Sequence, residues 1–301
     1  MEQPNMRGTI LAVDDEYANR FLLENILVEY RVICAANSKE LWHILESDKI
    51  DLILLDIMMP GEDGFTMAAK LARNEQWRDI PIIFVTAKDS GEDVKRGFHL
   101  GGSDYVKKPF DEIELKARIE AVLQQKQRER KLRMDSITDP LTGLYNRKYF
   151  ADTATKQIEY IKRYAKEMSI AILDIDHFKR INDSYGHPAG DLILKEFATL
   201  LQQQIRSYDL LARYGGEEFV VMFLECDKHL AKRILDRIRS SVESRTFLFE
   251  KQVIQLAFSG GVAAMKDLVD IPPILDELLR IADKRLYIAK FTGRNKIVDE
   301  G

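Results

Sequence analysis

Between residues 9 and 122, short apolar runs alternate with longer amphipathic stretches. The runs at 9–13, 32–35, 52–55, 82–85 and 105–106 read as strands. Helix-length segments lie between them near 17–29, 38–47, 64–74 and 91–100, and another opens at Asp111. This β–α repeat predicts an α/β domain built on a doubly wound parallel sheet, whose ligands bind at the carboxyl ends of the strands. From Asp111 to Ser136 there is neither glycine nor proline, and Glu, Gln, Lys, Arg and Leu dominate, which predicts one long helix joining the two halves of the chain. Its stripe of Leu115, Ile119, Val122 and Leu123 gives way to a wholly polar stretch at 124–131 before Leu132, Met134 and Ile137 resume. The helix is therefore expected to pack well at both ends and to be weakly specified in its middle. A sustained heptad seam is missing, which leaves a solvated spacer as the alternative to a coiled coil.

In the second half the pattern predicts a helix near 147–165, a strand at 169–173 and a helix opening near Asp191. A hairpin follows, with strands at 209–213 and 219–223 turning at Gly215-Gly216, then a helix near 227–243. A strand at 254–259 and a last helix near 273–291 complete it.

A length of 301 residues suits roughly two domains. With 46% hydrophobic and 31% charged residues the composition is that of a soluble globular protein, and a net charge of −4 argues against a general binder of nucleic acid or of membrane surfaces. The start, Met1-Glu2-Gln3-Pro4-Asn5, lacks the pattern of a signal peptide, and the longest apolar runs are far too short to span a bilayer. Cys34 and Cys226 are far apart in apolar surroundings and read as reduced core thiols of a cytoplasmic protein. The five histidines show no zinc-type spacing.

In the first half, Asp14 and Asp15 follow the first predicted strand, Asp56 the third, Thr86 the fourth and Lys108 the fifth. Crowded carboxylates repel unless a cation neutralises them. Any one such acid is ordinary at a strand end; the whole set is not. Val13-Asp14-Asp15-Glu16, Leu54-Leu55-Asp56-Ile57-Met58-Met59-Pro60-Gly61, Val85-Thr86-Ala87 and Tyr105-Val106-Lys107-Lys108-Pro109-Phe110 resemble the receiver domain of bacterial response regulators. The resemblance implies that Asp56 accepts a phosphoryl group from a cognate histidine kinase. It implies that Asp15, Asp56 and the Met58 carbonyl hold Mg²⁺, with Asp14 acting through water. Lys108 and the Thr86 hydroxyl would meet the phosphoryl oxygens, the Lys108–Pro109 peptide would be cis, and Tyr105 would swing inward after phosphorylation.

The second half carries Arg213-Tyr214-Gly215-Gly216-Glu217-Glu218-Phe219, a bare turn followed by two carboxylates of the kind Mg²⁺ prefers. It resembles the signature of GGDEF-type diguanylate cyclases in its GGEEF form. Thr138-Asp139-Pro140-Leu141-Thr142-Gly143-Leu144-Tyr145-Asn146-Arg147 resembles the opening motif of the same family. Together the two resemblances imply a flavodoxin-like receiver over 6–125, a last receiver helix extending into a linker over 111–138, and an α+β, nucleotide-cyclase palm-like domain over 139–301. Asp174 and Glu217, with the Ile175 carbonyl, would hold Mg²⁺, and Glu218 would serve a second metal or act as general base. Lys179, Lys290 and Arg294 would grip the triphosphate, near Phe178, Gly215 and Gly216. Asn182 and Asp191 would read guanine, although Asp191 could instead cap a helix. Asp176 reads as a structural acid at a helix start. Arg206-Ser207-Tyr208-Asp209 stands where such cyclases carry an RxxD product site, with Arg237 as a secondary contributor; a plain Arg206–Asp209 ion pair is the bland alternative.

The expected activity is condensation of two GTP into cyclic di-GMP and two pyrophosphates by a homodimer, regulated by phosphorylation and inhibited by its product. The rivals are a degenerate GGDEF domain acting as a cyclic di-GMP receptor, and a cyclase that accepts ATP.

Overall fold

The computed structural model describes residues 6–86, 97, 102–268 and 274–301. The helix expected near 91–100 lies, Gly97 aside, outside them. The chain divides into two compact units, Met1–Leu132 and Arg133–Gly301.

The first unit contains β1 (Thr9–Val13), α1 (Tyr17–Ile26), β2 (Arg31–Ala35), α2 (Ser38–Ser47), β3 (Leu52–Asp56), α3 (Gly64–Arg73), β4 (Ile82–Thr86) and β5 (Asp104–Lys107). The five strands are parallel in the order β2-β1-β3-β4-β5. Successive residues of a strand face opposite sides, so a sheet covered on both sides needs unbroken apolar strands. Leu11, Val13, Ile53, Leu55 and Phe84 pack with Leu41, Leu45, Phe65 and Leu71 of α2 and α3. Ile10, Ala12, Leu54, Ile83 and Val85 pack on the other side with Leu23, Leu115 and Ile119.

Helix α4 (Glu112–Ile137) runs unbroken. It opens where the Glu114 N–H donates to Asp111 Oδ1 at 2.8 Å, a side-chain cap. Leu115, Ile119 and Val122 are buried, whereas Leu132 and Met134 are 70% and 44% exposed. The expectation of good packing at both ends thus holds only for the first half, where a sheet lies beside the stripe.

The second unit contains β6 (Tyr145–Asn146), α5 (Arg147–Arg163), β7 (Met168–Ile175), α6 (Phe178–Tyr185), α7 (His187–Gln204), β8 (Leu210–Gly215), β9 (Glu218–Leu224), α8 (Lys228–Glu243), β10 (Phe247–Phe249), β11 (Gln252–Ile254), β12 (Phe258–Ala264), α9 (Ile274–Phe291) and β13 (Ile297–Val298). Its six-stranded sheet has the order β13-β12-β7-β9-β8-β6, with β7 antiparallel to both neighbours. Ile170, Ile172, Val220 and Met222 pack with Phe150 and Ile158 of α5 and Leu278, Ala282 and Leu286 of α9. Leu173, Ile175, Phe219 and Val221 face Ile193, Phe197 and Leu235 of α7 and α8. A Cβ at Gly261 would run into the backbone of Ala282, Arg285 and Leu286, so only glycine lets α9 lie this close to β12. Among the described residues no helix is long and apolar enough to cross a membrane.

Four local expectations are corrected. The strand placed at 169–173 runs to Ile175, because ladders on both sides continue past Leu173. The helix expected to open near Asp191 starts at His187, after a separate α6, and Gly186 with φ +82° divides the two. Asp191 therefore lies inside α7 and caps nothing. The strand expected at 254–259 is split: Ile254 pairs back to Phe247 in a small ribbon, and a new strand begins at Phe258. The hairpin turns at Gly216 and Glu217 rather than at the two glycines; Gly215 is still in β8, paired with Glu218.

Candidate active site

Asp174 near the end of β7 lies directly opposite Glu218 at the start of β9, so the two side chains share one sheet face. That face is the one covered by α9, and Lys290 Nζ reaches Asp174 Oδ2 at 2.7 Å. Glu217 is in the adjoining turn, not on the strand, and Gly216 beside it has φ +52°. Like charges opposite each other destabilise a sheet. Burial pushes the Asp174 carboxyl up to about 6; Lys290 opposes this, while Glu217 and Glu218 add to it. Burial also raises Glu218, with Asp283 and Glu217 adding repulsion against Lys290 and Arg147. Carboxylate charge at this point exceeds what one lysine offsets. A hard divalent cation fits that donor set.

The turn is braced from the side. Arg213 donates from Nε and Nη2 to the Gly216 carbonyl at 3.0 and 2.8 Å, and from Nη1 to Asp139 Oδ1 and Oδ2 at 3.1 and 3.2 Å. The β8–β9 register shifts between Arg213 and Gly215, a bulge of the kind that re-aims side chains next to active sites. Tyr214, in that irregularity, carries the Arg147 guanidinium 4.5 Å from its ring centre, and with Ile172 and Glu218 it lines a cleft of about 300 Å³.

Asp176 is buried and accepts the Ser259 hydroxyl at 2.8 and 3.0 Å and the Asn295 N–H at 2.9 Å. This is the structural duty expected of it, although α6 starts two residues later, after His177 at φ +59°. The bond anchors the loop after α9 that carries Arg294, which is exposed with φ +61°. Beyond the strand ends, Asn182 of α6 lies over Gly190 of α7, where a Cβ would collide with Asn182 Oδ1 and press on Phe178. The close approach brings the helix segments of Asn182 and Asp191 together; Asp191 and Lys179 are exposed and Phe178 is buried.

In the first unit, carboxylate oxygens of Asp14, Asp15 and Asp56 lie within 4.8 Å of one another, an arrangement able to hold a metal ion. Lys108 Nζ sits 2.7 Å from Asp14 Oδ2 and 2.5 Å from Asp56 Oδ2, while the exposed Lys107 pairs along the strand with Thr86. Burial raises the Asp56 carboxyl, against Lys108 and the Met58 N–H, which donates to Asp56 Oδ1 at 3.0 Å. Arg20 fastens the loop by donating from Nη1 to the carbonyls of Asp14 and Asp15 at 2.5 and 2.9 Å. Thr86 is buried at the end of β4, and Tyr105 is half-buried with Arg118 5.5 Å from its ring centre. The Lys108–Pro109 peptide is cis.

The model of the family described as diguanylate cyclase, GGDEF domain, matches residues 136–296. The chain belongs to the GGDEF family. The response regulator receiver domain matches residues 10–120. Over 302 residues the chain is 32% identical to the response regulator PleD of Caulobacter vibrioides, covering 97% of this chain and 65% of that protein. Over 162 residues it is 40% identical to the probable diguanylate cyclase DgcT of Escherichia coli, covering 53% of this chain and 35% of that one. The coiled coil and GGDEF domain of DgcB from Caulobacter crescentus, solved in complex with c-di-GMP, superposes with a TM-score of 0.56 at 28% identity, over 63% of this chain and 98% of that one.

Elsewhere in the GGDEF domain, the plain Arg206–Asp209 side-chain ion pair, the alternative to a product site, is not the arrangement that the two residues adopt. Asp209 accepts backbone N–H groups, from Arg206 at 3.3 Å and from Leu224 at 3.1 Å, while Arg206 Nη1 donates to the Tyr208 hydroxyl at 2.8 Å. Arg237, exposed on α8, donates to the Gln204 carbonyl at 3.0 Å. Of the two cysteines Cys226 is buried but Cys34 only half-buried; burial pushes the thiols up to about 11 and about 12. The sequence alone assigns no role to Arg213, Ser259 or Arg20. Their partners are 74, 83 and six residues away, and no spacing rule connects the first two.

Proposed function

We propose that this chain is a receiver-regulated diguanylate cyclase. The observation that carries the reading is the register that sets Asp174 opposite Glu218, with Glu217 in the adjoining turn and Lys290 bonded to Asp174. A degenerate domain would have no need of paired carboxylates at Asp174 and Glu218 with a third at Glu217 in the turn beside them.

Asp174 and Glu217, with the Ile175 carbonyl, would hold Mg²⁺, which when bound offsets phosphate charge and favours displacement at phosphorus. Lys290, Lys179 and Arg294 bind triphosphate oxygens, and the anchored loop keeps Arg294 near the end of α9. Asp191 accepts from guanine N1–H and the exocyclic amine, and Asn182 completes the base contacts. The 3′-hydroxyl of one GTP attacks the α-phosphate of the other. Pyrophosphate leaves, and Glu218, its carboxyl raised, takes the hydroxyl proton. The step occurs twice, so two GGDEF domains face each other in a homodimer.

In the receiver, Asp56 accepts the phosphoryl group from the cognate histidine kinase. Asp14, Asp15, Asp56 and the Met58 carbonyl would hold Mg²⁺ there. Lys108 moves from its carboxylates onto the phosphoryl oxygens, Thr86 donates its hydroxyl, and Tyr105 swings inward. Arg206, Asp209 and Arg237 bind product and inhibit.

Glu217→Gln and Asp174→Asn each remove negative charge from the metal site. Both variants are expected to remain folded and to lose most turnover of GTP. Near-normal cyclic di-GMP production by either would rule out the assignment.

A further inference from the structure

The turn that joins α7 to β8 is held from its own backbone. The Asp209 N–H donates to the Arg206 carbonyl at 3.1 Å, and the Arg206 N–H donates to Asp209 Oδ2 at 3.3 Å. Asp209 Oδ1 accepts the Leu224 N–H at 3.1 Å, which ties the turn to the end of β9. Both oxygens of the aspartate are thus engaged with backbone groups, and none of this needs Tyr208.

Tyr208 is 56% exposed, so it adds little to the core. Its hydroxyl accepts from Arg206 Nη1 at 2.8 Å, and the guanidinium carbon stands 5.6 Å from its ring centre. Both the polar tip and the aromatic face of this side chain are therefore directed at one arginine. An exposed arginine ordinarily samples many rotamers, and a ligand that uses it must order it. Here the ordering is already present in the unliganded turn.

The chemistry of such a pair is specific. A guanidinium fork donates to two acceptors side by side, which guanine presents at O6 and N7 and adenine does not, because N6 is a donor. A tyrosine ring beside the fork offers a surface on which a base can stack. We propose that Tyr208 is a positioning and specificity residue: it holds the Arg206 fork ready for the guanine edge of a cyclic dinucleotide and receives the face of that base on its ring. The proposal rests on reading the Arg206–Asp209 turn as a product site.

The test is equilibrium binding of cyclic di-GMP and cyclic di-AMP to the full chain, without GTP, for wild type, Tyr208→Phe, Tyr208→Ala and Arg206→Ala. Melting temperature and the KM for GTP are measured alongside, and neither should move in the Tyr208 variants. Tyr208→Ala is expected to weaken cyclic di-GMP binding by about tenfold or more, the size of a lost stacking contact. Tyr208→Phe, which keeps the ring, should fall between it and wild type, and preference over cyclic di-AMP should narrow in both. Wild-type affinity in Tyr208→Ala beside a weakened Arg206→Ala overturns the role of Tyr208 while leaving the product site in place. Wild-type affinity in Tyr208→Phe removes the positioning hydrogen bond and likewise overturns the proposal. Wild-type affinity in Arg206→Ala takes away the product site itself, and the proposal with it.

Discussion

Arg213 joins Asp139 to the Gly216 carbonyl: one guanidinium donates to the carboxylate at 3.1 and 3.2 Å and to the carbonyl at 3.0 and 2.8 Å. Asp139 lies two residues past the end of α4, and Gly216 precedes Glu217. Burial would raise the Asp139 carboxyl, but Thr142 and Arg213 outweigh it and lower it, so the group is ionised and holds its arginine at neutral pH. The turn that carries Glu217 is therefore braced by the segment that leaves the connector.

Asp139→Asn keeps the shape and removes the charge. Misplacing a reactive group by an ångström costs up to about a hundredfold in rate, and a loss of roughly tenfold in turnover, with a smaller change in KM for GTP, is expected here. Unchanged steady-state kinetics in a variant of unchanged melting temperature would show that the brace does not position Glu217.

Gly261→Ala tests the approach of α9 to β12. The added methyl meets helix backbone rather than a mobile side chain. Overpacking of this kind costs about 1–3 kcal/mol. It also pushes on the helix that carries Lys290. Denaturant unfolding should report the destabilisation, and GTP binding should weaken with it; a variant as stable as wild type would mean that the helix shifts freely.

Acid sensitivity should centre in part on Asp267. Burial alone would raise this carboxyl, but Arg285, the Ala264 N–H and Lys228 donate to it and bring it down to about 2. The unfolded chain has the ordinary value of 3.8. Its contribution, of order 2–3 kcal/mol at most, is therefore complete above about pH 4 and is lost as pH falls through about 2. Asp267→Asn should be clearly less stable than wild type at neutral pH, with the gap closing below pH 4. A gap independent of pH over that range would locate the stabilisation in packing rather than charge.

Much of this architecture is legible in the chain because it depends on local pattern. Strands buried on both faces, such as Leu52–Asp56 and Ile82–Thr86, are largely apolar runs, and five strands alternating with helices at regular spacing leave little choice of fold. The acids at strand ends could be found for the same reason. What escaped depends on partners distant in sequence. Nothing near Ile254 says that it pairs back to Phe247, and only the β8–β9 register reveals that Gly215 stays in the strand while Glu217 makes the turn. The Arg206–Tyr208 contact is local, but no spacing rule prefers it over an ion pair with Asp209.

The connector offers a test of regulation. Helix α4 is continuous through its polar middle, and Leu132 and Met134 are exposed beyond it. Four residues inserted in the polar stretch rotate the downstream helix by about 40° past one turn, whereas seven leave it within about 20° of its original phase. Activation by beryllofluoride should be lost with four and largely kept with seven. Equal activation in both would make the connector a tether.

Whether the chain is an enzyme is decided by its product. The full chain is incubated with GTP and Mg²⁺, with and without beryllofluoride, and the products are separated and weighed by mass spectrometry. Cyclic di-GMP with two equivalents of pyrophosphate, formed faster when beryllofluoride is present, is the predicted result. Intact GTP under both conditions, with a chain that is folded and binds cyclic di-GMP, would contradict the account and leave a receptor in place of an enzyme.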